Sequence, residues 1–150
     1  MGYKILLPTD GSVTSRKAAE FAAELASIIP ESVITVLTVI TIPKTLYSRR
    51  LYWRAKDQPV DGQELKTLFV EEAQRLVEEA VEILRRRGIK ATAAVREGDP
   101  AEEIVRHAHE GGFDHIIMGT RGLGGVQELI LGGVARKVVH LASVPVTLVK

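Results

Sequence analysis

Short unbroken apolar runs alternate along this chain with longer stretches in which apolar residues return every three or four positions. The first kind fits strands buried on both faces, and the second fits helices with one buried stripe. Lys4-Ile5-Leu6-Leu7 is an apolar run that breaks into the turn-forming Pro8-Thr9-Asp10-Gly11-Ser12, so it reads as a strand ending in a loop. Residues 13–28 carry Ala18, Ala19, Ala22, Leu25 and Ala26 at helical spacing, with Ser12 as N-cap and Pro30 closing the segment. Residues 33–40, VITVLTVI, form a second strand, nearly all β-branched and apolar.

After an irregular stretch, Asp61-Gly62-Gln63-Glu64 has the form of a capping box and opens a long helix over 61–87, stopped by Gly88. Leu65, Leu68, Phe69, Leu76, Ala80, Ile83 and Leu84 are its expected apolar stripe. A third strand spans 90–96. Asp99-Pro100-Ala101-Glu102 then starts a helix to about 110, with Asp99 capping, Pro100 in the first turn and Glu102 reaching back. A fourth strand covers 114–118, helical patterning resumes up to Leu141, and 144–149 is a last strand whose Pro145 suggests a sheet edge or a special interface.

Alternation of this kind predicts an α/β fold: one doubly wound domain over 1–150, with a five-stranded parallel sheet and helices on both faces. No internal repeat is visible, and residues 41–60 are an excursion rather than a linker. With aromatics at only 5% of 150 residues, the core has to be aliphatic. A net charge of +1 provides no long-range field toward nucleic acid or an anionic membrane. The absence of cysteine excludes disulfides, thiolate nucleophiles and Cys-based zinc sites. No targeting segment and no run of about 18 apolar residues is present, so a cytoplasmic protein without a membrane span is expected.

In an open parallel sheet, ligands bind beyond the carboxyl ends of strands, where the strand order reverses. Two loops of unusual composition lie at that edge: Pro8 to Ser12 after the first strand, and Gly119-Thr120-Arg121-Gly122-Leu123-Gly124-Gly125 after the fourth. They face each other only if the first and fourth strands are neighbours. Glycines let backbone N–H groups approach a phosphate without a Cβ in the way; they also serve simple turns and close helix–sheet packing. Glycine inside a helix costs about 1 kcal/mol relative to alanine, so Gly132-Gly133 reads better as a fresh helix start whose free N–H groups point at an anion. The loop is neither a Walker-type phosphate loop, since no Lys-Ser or Lys-Thr follows, nor a dinucleotide fingerprint.

Gly119-x2-Gly122-x9-Gly132 does have the spacing of the G-x2-G-x9-G-[ST] motif, and with it the chain resembles the ATP-binding branch of the universal stress protein family. ILLPTDGS, VLTVI, GDPAEEIVRHA, HIIMGTRG and VPVTLVK match that family's landmarks in order, so the resemblance covers everything but about 41–60. It implies the sheet order 3-2-1-4-5 and an adenine nucleotide (ATP, ADP or AMP), with Mg²⁺ on its phosphates. By the same resemblance, Pro8, Thr9 and Asp10 line the adenosine pocket and Val39 meets the adenine edge through its backbone. Gly119 lies against the ribose, flanked by Met118 and Arg121, while Gly122, Gly132, Gly133 and Val134 cradle the phosphates. One position departs from the pattern: the family's Ser or Thr is Gly133 here. A hydrogen bond to a charged group is worth about 1.5–3 kcal/mol, so its loss weakens phosphate binding about ten- to a hundredfold. Thr120 or Arg121 is placed to compensate, and a mono- or diphosphate preference stays open.

Outside these loops, the four histidines lack metal spacing and read as surface or packing residues. No nucleophile elbow or acid–base pair is found. The 41–60 segment mixes Tyr47, Tyr52 and Trp53 with five basic residues. It reads as a cover over its own domain or a second subunit, in preference to a single-stranded nucleic-acid site. An apolar edge strand at 144–149 is a pairing liability, and the resemblance implies a homodimer through Val144 to Val149. The expected function is adenine-nucleotide binding in a stress or regulatory role. The alternatives are a nucleotide-independent dimeric interaction module and a slow ATPase or phosphotransferase.

Overall fold

Ile5, Leu6 and Leu7 have no exposed surface, because the strand that holds them is the middle of the sheet. The computed structural model describes residues 2–42, 62–121 and 131–150. In chain order the elements are β1 (Lys4–Pro8), α1 (Val13–Ile28), β2 (Val33–Ile40), α2 (Gly62–Arg86), β3 (Lys90–Glu97), α3 (Pro100–Glu110), β4 (His115–Gly119), α4 (Gly133–Leu141) and β5 (Val146–Val149). The five strands are parallel and run β3-β2-β1-β4-β5 across the sheet, the order that the resemblance implies. β1 therefore has β2 on one side and β4 on the other, and the chain reverses its winding direction between them.

Side-chain alternation along the strands sorts the core into two layers. Ile5, Leu7, Ile34, Val36 and Ile117 point to the face covered by α1 and α2, where they meet Ala18, Ala22, Val77, Val81 and Leu84. Leu6, Leu37, Ile116 and Met118 point the other way, onto Ala101, Ile104 and Ala108 of α3 and Ala135 and Val138 of α4. The alanines of α1 let that helix lie close on the sheet. Each large aliphatic side chain buried in either layer contributes about 1.5–3 kcal/mol.

Local signals in the chain account for most element ends. Ser12 caps α1 by accepting the Ser15 N–H, and Asp99 caps α3 by accepting the Glu102 N–H, with Pro100 in the first turn. Glu102 does not reach back to the cap, however; its carboxylate lies 3.4 Å from Lys137 of α4. The stripe expected for α2 is also corrected. Its seam runs through Ala73, Val77, Val81 and Leu84, whereas Leu68, Phe69 and Ile83 are exposed. Leucine and valine occur on more than one face of this helix, and the side that α2 turns to β2 and β3 decides which of them are buried. β5 starts at Val146, two residues later than the pattern suggests, while the Pro145 carbonyl accepts the Ile116 N–H at 3.0 Å. β5 is a sheet edge, as Pro145 suggests. Residues 43–60 of the excursion, and Asp61 of the expected capping box, lie outside the described residues.

Candidate functional site

The carboxyl ends of β1 and β4 open side by side, since Leu6 pairs with Ile116, and a cavity of about 460 Å³ lies beyond them. That volume suits a small organic ligand. Pro8, Thr9 and Asp10 at the end of β1 line it, as does Val39 from β2. From the end of β4 come Met118, Gly119, Thr120 and Arg121, and from the start of α4 come Gly132, Gly133 and Val134. Eleven of the residues singled out in the sequence thus share one cavity; Gly122 lies outside the described residues.

Each wall has a local cause. Gly11 takes a φ of 80°, a left-handed turn that an L side chain resists. The turn is closed by Asp10, whose Oδ1 accepts the Ser12 N–H at 2.9 Å. Asp10 is therefore a turn former and a cavity residue at once. The β1 loop is also tied to β2, for the Thr9 N–H donates to the Leu37 carbonyl at 2.8 Å and the Thr38 hydroxyl to the Thr9 carbonyl at 2.9 Å. At the other wall, the Thr120 N–H donates to the Val149 carbonyl at 3.0 Å, and the Thr120 carbonyl accepts the Gly132 N–H at 2.7 Å. This second bond brings the start of α4 back to the end of β4.

The cavity has two chemical ends. Leu37, Val39, Ile104, Met118, Leu131 and Ala135 supply an apolar wall, suited to a flat ring. Between Leu131 and Ala135 of that wall, α4 begins at Gly133 after an N-cap, Gly132, that provides no side-chain hydrogen bond. Gly132 thus offers the first-turn amides of α4 no side-chain cap, and the helix dipole adds partial positive charge there. A Cβ built on Gly133 meets nothing within 4 Å, so the helix start has room for a side chain at that position. Arg121, exposed at the mouth, adds a cation. An apolar slot beside an uncapped helix N-terminus can hold a ring joined to an anionic group.

Ser15, Leu37, Pro100, Ile104, Leu131 and Ala135 also line the cavity, and sequence reasoning missed them. Pro100 and Ile104 follow from α3 starting at the carboxyl edge and packing on the same sheet face as α4, which no local signal reports. Ser15 lies in the first turn of α1, where a serine signals a helix start and not a cavity wall. α3 is tied to α4 by Lys137, whose Nζ lies 3.0 Å from Asp99. The Asp99 carboxyl is held below its ordinary value, first by the Glu102 N–H and then by Lys137. The histidines described in detail are packing residues: His107 Nδ1 accepts from Arg96 Nε at 2.7 Å, and His115 lies between Tyr3 and Thr147. Among the described residues, no three His, Asp or Glu side chains converge as a metal site, and no helix is long and apolar enough to cross a membrane.

The universal stress protein family model matches residues 1–150. The chain belongs to the universal stress protein family. Universal stress protein YxiE of Bacillus subtilis is 31% identical over 157 residues, with all of both chains covered. The solved structure of MJ0577, from Methanocaldococcus jannaschii, is similar at 32% identity and a TM-score of 0.80, covering 100% of this chain and 96% of the other. The universal stress protein from Archaeoglobus fulgidus, solved in complex with dAMP, shares the fold at 22% identity and a TM-score of 0.66, covering 100% of this chain and 98% of that one. Within this universal stress protein, Gly119 and Gly132 of the glycine motif both line the cavity at the β1–β4 junction.

Proposed function

We propose that this universal stress protein binds an adenine nucleotide (ATP, ADP or AMP) in the cavity at the β1–β4 junction and acts in a stress response. The observation that carries the reading is the juxtaposition of an apolar slot with the uncapped start of α4 inside one cavity of about 460 Å³. The adenine ring lies along Leu37, Val39 and Met118, with the Asp10 carboxylate placed to accept from ribose or adenine. The phosphates lie on the amides of Gly133 and Val134, near Arg121. Gly122 belongs to the same phosphate cradle on its spacing in the motif. Mg²⁺ is held through phosphate oxygens, since the only described carboxylate at the cavity is Asp10. The dAMP complex of the more distant Archaeoglobus fulgidus protein is a precedent for such a ligand on this fold.

Calorimetric titration of nucleotide-stripped protein with MgATP, MgADP and AMP tests the reading. Saturable binding that Gly132→Val abolishes is the expected result; no heat at millimolar ligand overturns it. We further propose a cytoplasmic homodimer that pairs through Val144 to Val149. What supports the dimer is the position of β5 at the sheet edge, with all four of its residues only partly covered. Sedimentation of wild type against Leu148→Pro, which removes a backbone donor that faces away from β4 in the parallel register, separates dimer from monomer, and cell fractionation tests the compartment.

A further inference from the structure

The first turn of α1 carries a buried file of hydroxyl groups behind the cavity wall. Ser12, Thr14 and Ser15 are each less than a tenth exposed. The Thr9 hydroxyl accepts the Gly11 N–H at 3.3 Å and donates to Ser15 Oγ at 3.2 Å. Ser15 Oγ donates in turn to the Ser12 carbonyl at 2.9 Å. Ser12 Oγ accepts the Ser15 N–H and donates to the Arg121 carbonyl, both at 3.2 Å. Thr14 makes the tightest link: its hydroxyl donates to the Arg121 carbonyl at 2.6 Å and accepts the Arg121 N–H at 3.3 Å. Every hydroxyl in the file donates one bond and accepts another, so the network is satisfied without conflict. It runs from the β1 loop at one wall of the cavity to Arg121 of the glycine-rich loop at the other.

Neither a capping role nor a packing role accounts for Thr14. Ser12 already caps α1. A packing residue would not need its hydroxyl to hold both backbone groups of a residue 107 positions away. We propose that Thr14 is a positioning residue. Its hydroxyl clamps the backbone of Arg121, sets where the glycine-rich loop leaves β4, and so governs affinity for the phosphate end of the ligand and not for its adenosine end. The inference rests on the nucleotide reading above.

Thr14→Val keeps the shape and removes the hydroxyl, while Thr14→Ser keeps the hydroxyl. Titrations of full-length wild type and both variants with adenosine and with MgATP test the proposal, and thermal unfolding checks that each variant is folded. For Thr14→Val we expect MgATP affinity to fall about tenfold, the loss of roughly one hydrogen bond, with adenosine affinity changed less than about twofold and Thr14→Ser close to wild type. Hydrogen exchange of the Arg121 amide in the unliganded protein is the second readout, with faster exchange in Thr14→Val than in wild type or Thr14→Ser. Equal losses for adenosine and MgATP, unchanged MgATP binding, or unchanged Arg121 exchange overturn the clamp. A wild type that binds neither ligand overturns the nucleotide reading instead, and with it the affinity part of this proposal, leaving the exchange rates to decide the clamp.

Discussion

Gly119 lies so close beneath Thr14 that a Cβ added to it would come within 2.7 Å of the Thr14 carbonyl carbon and 2.8 Å of the Ser15 nitrogen. Both atoms are backbone in the first turn of α1 and cannot swing aside. The glycine is therefore required by packing before any ligand is considered. Gly119→Ala is expected to lower stability by about 1–3 kcal/mol, the usual cost of overpacking, and to widen the gap between α1 and β4. Urea unfolding with an unchanged slope and a lower midpoint is the expected outcome; a midpoint equal to wild type counts against this packing.

Gly133 presents the opposite case, because nothing lies within 4 Å of its missing Cβ and its φ is not left-handed. A side chain fits without adjustment. Gly133→Ser restores the hydroxyl of the family motif at the start of α4 and is expected to tighten MgATP binding by about tenfold. Adenosine affinity should stay the same. A calorimetric comparison of the two ligands reads the difference, and no gain for MgATP would mean that phosphate does not reach the α4 amides.

Asp99 has two partners of unequal weight. As the N-cap of α3 it satisfies the Glu102 N–H at 3.0 Å, and it also pairs with Lys137. Asp99→Ala should cost about 1 kcal/mol through the lost cap. Lys137→Met should leave the unfolding midpoint nearly unchanged, because an exposed ion pair contributes little. Because the folded carboxyl is held below its ordinary value of 3.8, its contribution is full above that value and disappears as pH falls through the lower folded one. Equal costs for the two variants would assign the effect to the ion pair instead.

His107 and His115 both titrate below their ordinary value of 6.5, each first through burial, and His107 also through the nearby Arg96 charge. The folded state thus favours the neutral rings. Their contribution to stability is full above pH 6.5 and is lost as pH falls through that value toward the folded ones. A proton on His107 Nδ1 would also displace the Arg96 bond. Urea midpoints at about pH 8 and about pH 5 should fall in that order, and His107→Gln, whose amide oxygen can still accept from Arg96, should shrink the difference. A pH-independent midpoint in wild type would contradict these directions.

Much of the fold could be read from the chain because its signals are local. Ser12, Asp99-Pro100 and Gly132-Gly133 mark helix starts at the positions where α1, α3 and α4 begin. Apolar runs mark β1, β2 and β4, and Pro145 marks the edge. The α2 stripe was misjudged because Leu68, Phe69 and Ile83 have the right spacing but lie on faces that the sheet does not cover. The cavity splits along the same line. Its glycines and Asp10 belong to turns with strong composition signals. Pro100 and Ile104 line it only because α3 packs on the sheet face that α4 also covers, and Ser15 only because α1 starts behind the β1 loop. Such relations between distant elements leave no trace in a window of neighbouring residues.

The hydroxyls at the head of α1 meet backbone groups that are synthesised more than a hundred residues later. β1, the first strand made, can take β2 as a neighbour early, but its other side stays open until β4 arrives. Closing so long a loop is slow, so the cavity is among the last features to assemble on the ribosome or after it. A chain truncated after α3 could keep the β3-β2-β1 half of the sheet and have no binding site at all. Any ligand held there is linked to the completion of folding, and its concentration sets how firmly the second half of the sheet stays docked on the first.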